Sequence, residues 1–183
     1  LTRQLTTHEP DLVIWPENAV SVSVDANADV FARAVTSLGP EGRLLIGTPR
    51  AVPVAPGRSA LRNSAFLLDH EGRITGIYDK LRLTPYGEFL PWLARPFVGA
   101  ARRGAIAYTP GDRPVLLEVA GRRFATVICY EAIYADLVRT LVRAGAEFLV
   151  NISNDAWFDD TAAVVQHFRA AQMRAVETRR YLV

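Results

Sequence analysis

The chain has 183 residues, half of them hydrophobic and 22% charged, the proportions of a soluble globular domain with a real core. A formal net charge of +2, with no run of like charge longer than a pair, offers no footprint for nucleic acid or an anionic membrane surface. A single cysteine excludes an internal disulfide and a multi-cysteine metal site, and no apolar run approaches the roughly 18–20 residues that span a bilayer.

Asp11 to Trp15 (DLVIW) reads as a short buried strand that ends at Pro16. Ala26 to Leu38 has helical spacing, with Val30, Ala34 and Leu38 on one side, and Gly39-Pro40 stops it. Arg43 to Thr48 is a second strand. Ser64 to Leu68 and Arg73 to Tyr78 flank the turn sequence Asp69-His70-Glu71-Gly72 and form a hairpin. Thr84 to Asp112 is long, rich in Pro and Gly and apolar in its middle. Val115 to Val119 and Arg122 to Ile128 form another hairpin around Ala120-Gly121. Ile133 to Ala144 is a helix ending at Gly145, Glu147 to Ile152 an apolar strand, Val164 to Arg179 an amphipathic helix, and Tyr181-Leu182-Val183 the start of another strand. Strands that alternate with helices and also pair in hairpins predict an α/β fold with a mixed sheet and helices packed on it. The chain reads as one domain over residues 1–183, truncated at its ends.

Three residues that follow predicted strands can carry chemistry. Cys129, in TVICYEA, ends the strand 122–128, and Tyr130-Glu131 is expected to open a helix there. A thiol at a helix N-terminus is favoured as thiolate by the dipole and the free N–H groups, which can also hold an oxyanion. The plain alternative is an inert, buried thiol. Glu17 follows strand and proline in LVIWPEN, at a strand's carboxyl end, where open α/β sheets bind ligands; the alternative is a solvated loop carboxylate. Lys80 is the only lysine among 21 basic residues, the other 20 being arginines. That bias suggests a position where a compact ammonium is required and a planar guanidinium is not equivalent. Glu88 lies eight residues on and is placed to hold the ammonium. A base, an electrophile and a nucleophile together form the set that acyl transfer through a thioester needs. His8, His70 and His167 make no metal-ligand spacing, and His167 falls on a predicted helix, where a structural role is expected. No Walker loop and no GxGxxG is present, and no cofactor is expected.

The segments PDLVIWPEN, YDKLRLTPYGEFLP, ICYEAIY, NISNDAWF and QHFRAAQMRAVETRR, in this order, resemble the nitrilase (carbon–nitrogen hydrolase) superfamily. Within it they are most similar to the nitrilase-type domain of the apolipoprotein N-acyltransferase family. The resemblance implies an α-β-β-α sandwich and a triad of Glu17 (general base), Lys80 (oxyanion stabiliser) and Cys129 (nucleophile). Glu88 matches a second, supporting glutamate; Tyr130 and Glu131 match the residues beside the nucleophile; Trp157 matches an aromatic near the pocket. Residues 159–165 depart from the family's Gly- and Pro-containing pattern.

The implied reaction moves a fatty acyl chain from a phospholipid, through a cysteine thioester, to the N-terminal amine of a diacylglyceryl-cysteine lipoprotein. The implied setting is the bacterial inner membrane, with the domain on its periplasmic side. Family members carry transmembrane helices before and after this domain, and none occurs in this sequence. Residues 89–99, with two Phe and one Trp broken by prolines, are expected to be non-helical. They either touch acyl chains and the membrane interface or pack on the domain's own core. Two other functions stay open: a soluble amidase using water as acceptor, and a non-catalytic domain that keeps the fold.

Overall fold

The computed structural model describes residues 9–20, 22, 24, 27–36, 38–97, 108–158 and 161–183; of residues 28–30, 94–96, 157 and 158 it describes the backbone only. Two sheets stack face to face, with helices on their outer faces. The first sheet has the order β1-β2-β3-β4: β1 is Leu12–Ile14, β2 Arg43–Ala55, β3 Arg58–Leu68 and β4 Ile74–Asp79. The second has the order β5-β6-β7: β5 is Leu116–Val119, β6 Arg122–Ile128 and β7 Phe148–Ile152. Helix α1 (Ala28–Val35) lies on the first sheet; α2 (Ala135–Arg143) and α3 (Ala162–Thr178) lie on the second.

Strand periodicity explains the layering. On β2, Leu44 and Ile46 face outward and pack with Val13, Phe66, Phe31 and Val35 beneath α1. Leu45 faces the other way and joins Leu67 and Tyr78 against Phe124, Ile128 and Val150 of the second sheet. On β6 the alternate residues Ala125 and Val127 meet Leu137, Val138, Leu141 and Ala171 of the helices. Each large side chain withdrawn from water here contributes about 2 kcal/mol. The result is the expected α-β-β-α sandwich.

Two elements run longer than the sequence suggests. The expected strand 43–48 continues to Ala55, and the expected strand 64–68 begins at Arg58. Pro49 and Pro53 hid this extension. β1 covers only Arg43, Leu44 and Leu45 of β2, so from Pro49 onward β2 has a strand on one side alone, the edge position where proline is tolerated. The stretch 89–99, expected to be non-helical, instead carries a six-residue 3-10 helix over Trp92–Phe97, longer than such runs commonly are. The expected strand at 181–183 does pair: Tyr181 and Val183 carbonyls accept from Leu149 and Asn151 N–H at 2.8 Å each.

Candidate active site

Three strand ends of the two sheets reach the same place. β1 delivers Glu17 after Pro16, where the Trp15 and Ala19 N–H groups bond to the carbonyls of Leu45 (2.8 Å) and Gly47 (3.2 Å). The approach is so close that a Cβ on Gly47 would stand 2.7 Å from Glu17 Cα, so only glycine fits. β4 delivers Lys80. Its N–H donates to Asn63 O and its carbonyl accepts from Gly111 N, both at 2.8 Å, and a Cβ on Gly111 would collide with Asp79. β6 delivers Cys129.

The Lys80 side chain is 1% exposed and is surrounded by carboxylates. Its Nζ lies 2.8 Å from Glu88 Oε2 and 3.7 Å from Glu17 Oε1, and donates to Thr84 Oγ1 at 3.3 Å. Burial by itself would lower the ammonium's pKa; the charges of Glu17 and Glu88 outweigh it and hold the pKa above the ordinary lysine value. Asn63 joins the two acids, with Nδ2 donating to Glu17 Oε1 at 2.7 Å and to Glu88 Oε1 at 2.6 Å. The remaining carboxylate oxygens are held by main chain: Asn154 N–H donates to Glu17 Oε2 (3.1 Å) and Thr84 N–H to Glu88 Oε2 (2.7 Å). A buried cation and two buried anions are thus each bonded, the condition for keeping charge out of water.

Cys129 has φ 52°, in the left-handed region that costs a non-glycine residue about 1–2 kcal/mol. It opens a 3-10 turn, Cys129–Ile133, and α2 begins only at Ala135. The expected helix N-terminus at Cys129 is therefore a single turn with little dipole. The thiol is correspondingly not biased toward thiolate. Burial and the Glu17 carboxylate push it up to about 11, against the opposing pull of Lys80, a Ser153 hydrogen bond and the Tyr130 N–H. The resting sulfur keeps its proton.

Glu131, fully buried, ties this turn to the lysine-bearing strand end. Its carboxylate accepts from Ile128 N–H (2.8 Å), Leu81 N–H (2.7 Å), Arg82 N–H (2.9 Å) and Tyr78 O–H (3.0 Å). Tyr130 contributes its backbone N–H at the thiol, while its ring meets Tyr134 edge-on at 6.1 Å. Trp157 lies on the 3-10 turn Asp155–Phe158, and its side chain lies outside the described residues.

These groups line a cavity of about 330 Å³ that holds Glu17, Lys80, Glu88 and Cys129 together with Asn63 and Tyr108. Burial, then the fields of Glu88 and Glu17, raise the Tyr108 phenol above its ordinary pKa. Asn63, Thr84, Tyr108 and Asn154 were not singled out in the sequence. Asn63 is one polar residue inside a strand and has no signature. Asn154 sits in the noticed NDAWF segment but acts through its backbone. Among the described residues no three His, Cys, Asp or Glu side chains are grouped to hold a metal ion.

The family model for carbon-nitrogen hydrolases matches residues 3–183. The chain is 41% identical over 177 residues to the apolipoprotein N-acyltransferase of Sinorhizobium medicae, covering 92% of this chain and 33% of that protein. It is 39% identical over 175 residues to the Rhizobium meliloti apolipoprotein N-acyltransferase, with the same coverage of each. The chain thus spans about a third of the length of the curated relatives it matches. Among solved structures, the NitN amidase of Nesterenkonia sp. AN1 superposes with a TM-score of 0.64 at 20% identity, over 99% of this chain and 66% of that one, a likeness of fold.

Proposed function

Starting from a chain that belongs to the carbon–nitrogen hydrolase family, we propose that it is the catalytic part of an N-acyltransferase with the triad Glu17, Lys80 and Cys129. The acyl donor is a phospholipid and the acceptor is the N-terminal amine of a diacylglyceryl-cysteine lipoprotein. The observation that carries this reading is the shared cavity in which a buried carboxylate, ammonium and thiol meet; the acyltransferase relatives at 41% and 39% identity supply the donor and acceptor.

With the thiol at about 11, a standing thiolate is scarce, so proton removal accompanies attack. Glu17 takes the Sγ proton as sulfur bonds to the ester carbonyl carbon. Lys80 Nζ and the Tyr130 N–H are assigned to hold the developing oxyanion. Collapse breaks the ester C–O bond, the departing lysophospholipid oxygen takes the proton back from Glu17, and an acyl thioester remains. The acceptor amine then attacks the thioester and gives a proton to Glu17. Collapse breaks the C–S bond, the proton returns to sulfur, and the net change is ester plus amine to amide plus alcohol.

A lipid donor accords with the apolar segment beside the cavity. Trp92, Leu93 and Phe97 are all exposed, so the own-core alternative for the segment 89–99 does not describe these side chains. They are suited to the membrane interface on the periplasmic face of the bacterial inner membrane. Among the described residues no helix is long and apolar enough to cross a membrane. The test is product analysis with a phospholipid donor and a diacylglyceryl-cysteine peptide. N-acyl peptide is expected; free fatty acid, with the peptide unchanged at saturating concentration, would instead establish a hydrolase.

A further inference from the structure

The triad leaves one chain of polar residues, ending at a buried histidine, without a task. His167, on α3, is 6% exposed. Its Nε2 lies 2.8 Å from the carbonyl oxygen of Cys129, and its Nδ1 3.0 Å from Asp155 Oδ1. A carbonyl only accepts, so Nε2 carries a hydrogen and donates it. Asp155 Oδ1 also accepts from Ser153 Oγ at 2.6 Å, and the Ser153 hydroxyl pulls the Cys129 thiol's pKa down. Hydroxyl, carboxylate and imidazole thus link a group that acts on the thiol to the cysteine's own backbone carbonyl.

We propose that His167, acting with Asp155 and Ser153, is a positioning residue for the nucleophile; the inference rests on the reading of Cys129 as the acylated group. Two physical arguments carry it. The first is strain. A non-glycine residue at φ 52° persists only when its surroundings over-determine it. Glu131 holds the N-terminal side of the turn through Ile128 N–H, and His167 holds the C-terminal side through the Cys129 carbonyl. Releasing either lets the sulfur swing away from Glu17.

The second argument concerns the thiolate. At rest the Ser153 hydroxyl donates to Asp155 Oδ1. A hydroxyl has one hydrogen, so it serves either that carboxylate or an anionic sulfur at a given moment. The Nδ1–Oδ1 contact at 3.0 Å keeps the Asp155 carboxylate in place beside the ring. It stays there while Ser153 turns its hydrogen to Sγ during attack. The groups that face the sulfur are Glu17 from the end of β1, Lys80 from the end of β4, the Tyr130 N–H and Ser153. Of these, Ser153 is the one whose orientation Asp155 and His167 set.

The test uses 4-nitrophenyl butyrate for acylation and iodoacetamide for thiol reactivity; with one cysteine in the chain, both report on Cys129. His167→Ala is expected to lower the acylation rate constant about 3- to 10-fold, the worth of one hydrogen bond, without changing half-saturation. His167→Gln, which keeps an N–H donor, is expected to recover part of that loss. Ser153→Ala is expected to move the midpoint of alkylation against pH upward. Wild-type acylation by His167→Ala would overturn the proposal, as would His167→Gln performing no better than Ala at the parental melting temperature. If His167→Ala does not fold, Ser153→Ala and Asp155→Asn decide: alkylation profiles identical to the parent's in both refute it. A parent chain that forms no Cys129 adduct at all removes the nucleophile reading itself, a result distinct from variants that match an active parent.

Discussion

Replacing Asn63 by leucine, close in size and shape, removes one amide that serves two acids. The variant loses the 2.7 Å bond to Glu17 and the 2.6 Å bond to Glu88. A hydrogen bond to a charged group is worth about 1.5–3 kcal/mol, so the gross loss is about 3–6 kcal/mol. One credit offsets it. Among the described residues Asn63 Oδ1 is buried without a partner, and leucine removes that orphan, returning about 1–2 kcal/mol. The expected net destabilisation is therefore about 1–5 kcal/mol, which for a chain of this size lowers the melting temperature by about 2–20 °C. The acylation rate should fall further than stability explains, since Glu17 keeps only the Asn154 N–H and the more distant Lys80 to fix it. The assay pairs thermal unfolding with the initial rate of 4-nitrophenyl ester acylation, measured well below the melting point. A melting temperature within about one degree of the parent, with an unchanged rate, would refute the assignment of Asn63 as the bridge between the acids.

Lys80→Arg keeps the charge but places a wide planar head in a fully buried space between two carboxylates and Thr84, so acylation of Cys129 should be lost; near-parental turnover would exclude the ammonium's role. Alkylation of resting Cys129 by iodoacetamide should rise about tenfold per pH unit between pH 7 and 9 without a plateau, because the thiol is pushed up to about 11; a plateau near neutrality would mean a preformed thiolate. Asp79, beside the lysine, tests acid stability. Burial would raise its carboxyl, but Ser64, Arg62 and Arg50 outweigh this and hold it below the ordinary carboxylate value. A depressed folded-state value gives stability that is present above the unfolded value of about 3.9 and is lost as pH falls through the folded one. Asp79→Asn should lower the melting temperature at neutral pH and shrink the further loss below about pH 4, and equal acid sensitivity in both chains would contradict the assignment.

The elements of the fold were legible as apolar runs between turn residues, and the family resemblance implied their α-β-β-α layering; which core each strand residue meets is seen in the structure. Leu44, Leu45 and Ile46 alternate between two cores, and the hairpin 115–128 is marked by Ala120-Gly121. What periodicity could not show is edge status: Pro49 looked like a stop because nothing local says that β1 ends opposite Leu45. At the site, Glu17, Lys80 and Cys129 announced themselves as chemically distinctive residues after strands, and Glu88 by its place eight residues after the lysine. Asn63 did not, since its importance comes from tertiary neighbours 46 and 25 residues away. The protonation of the cysteine was misjudged for a related reason. Strand followed by helix suggested a dipole, whereas the intervening 3-10 turn and the nearby carboxylate decide the matter. His167 was expected to be structural, and only the structure connects it to the Cys129 carbonyl.

Acylation of Cys129 in a reaction that needs Glu17 and Lys80 is the central event to measure. Intact-mass measurement after incubation with an activated acyl ester, with and without hydroxylamine, reads this in one step. The expected result is one hydroxylamine-labile acyl adduct, mapped to Cys129, in the parent chain, and none in Cys129→Ser, Glu17→Gln or Lys80→Met. An adduct of equal yield in the Glu17 and Lys80 variants, or none in the folded parent, would contradict it.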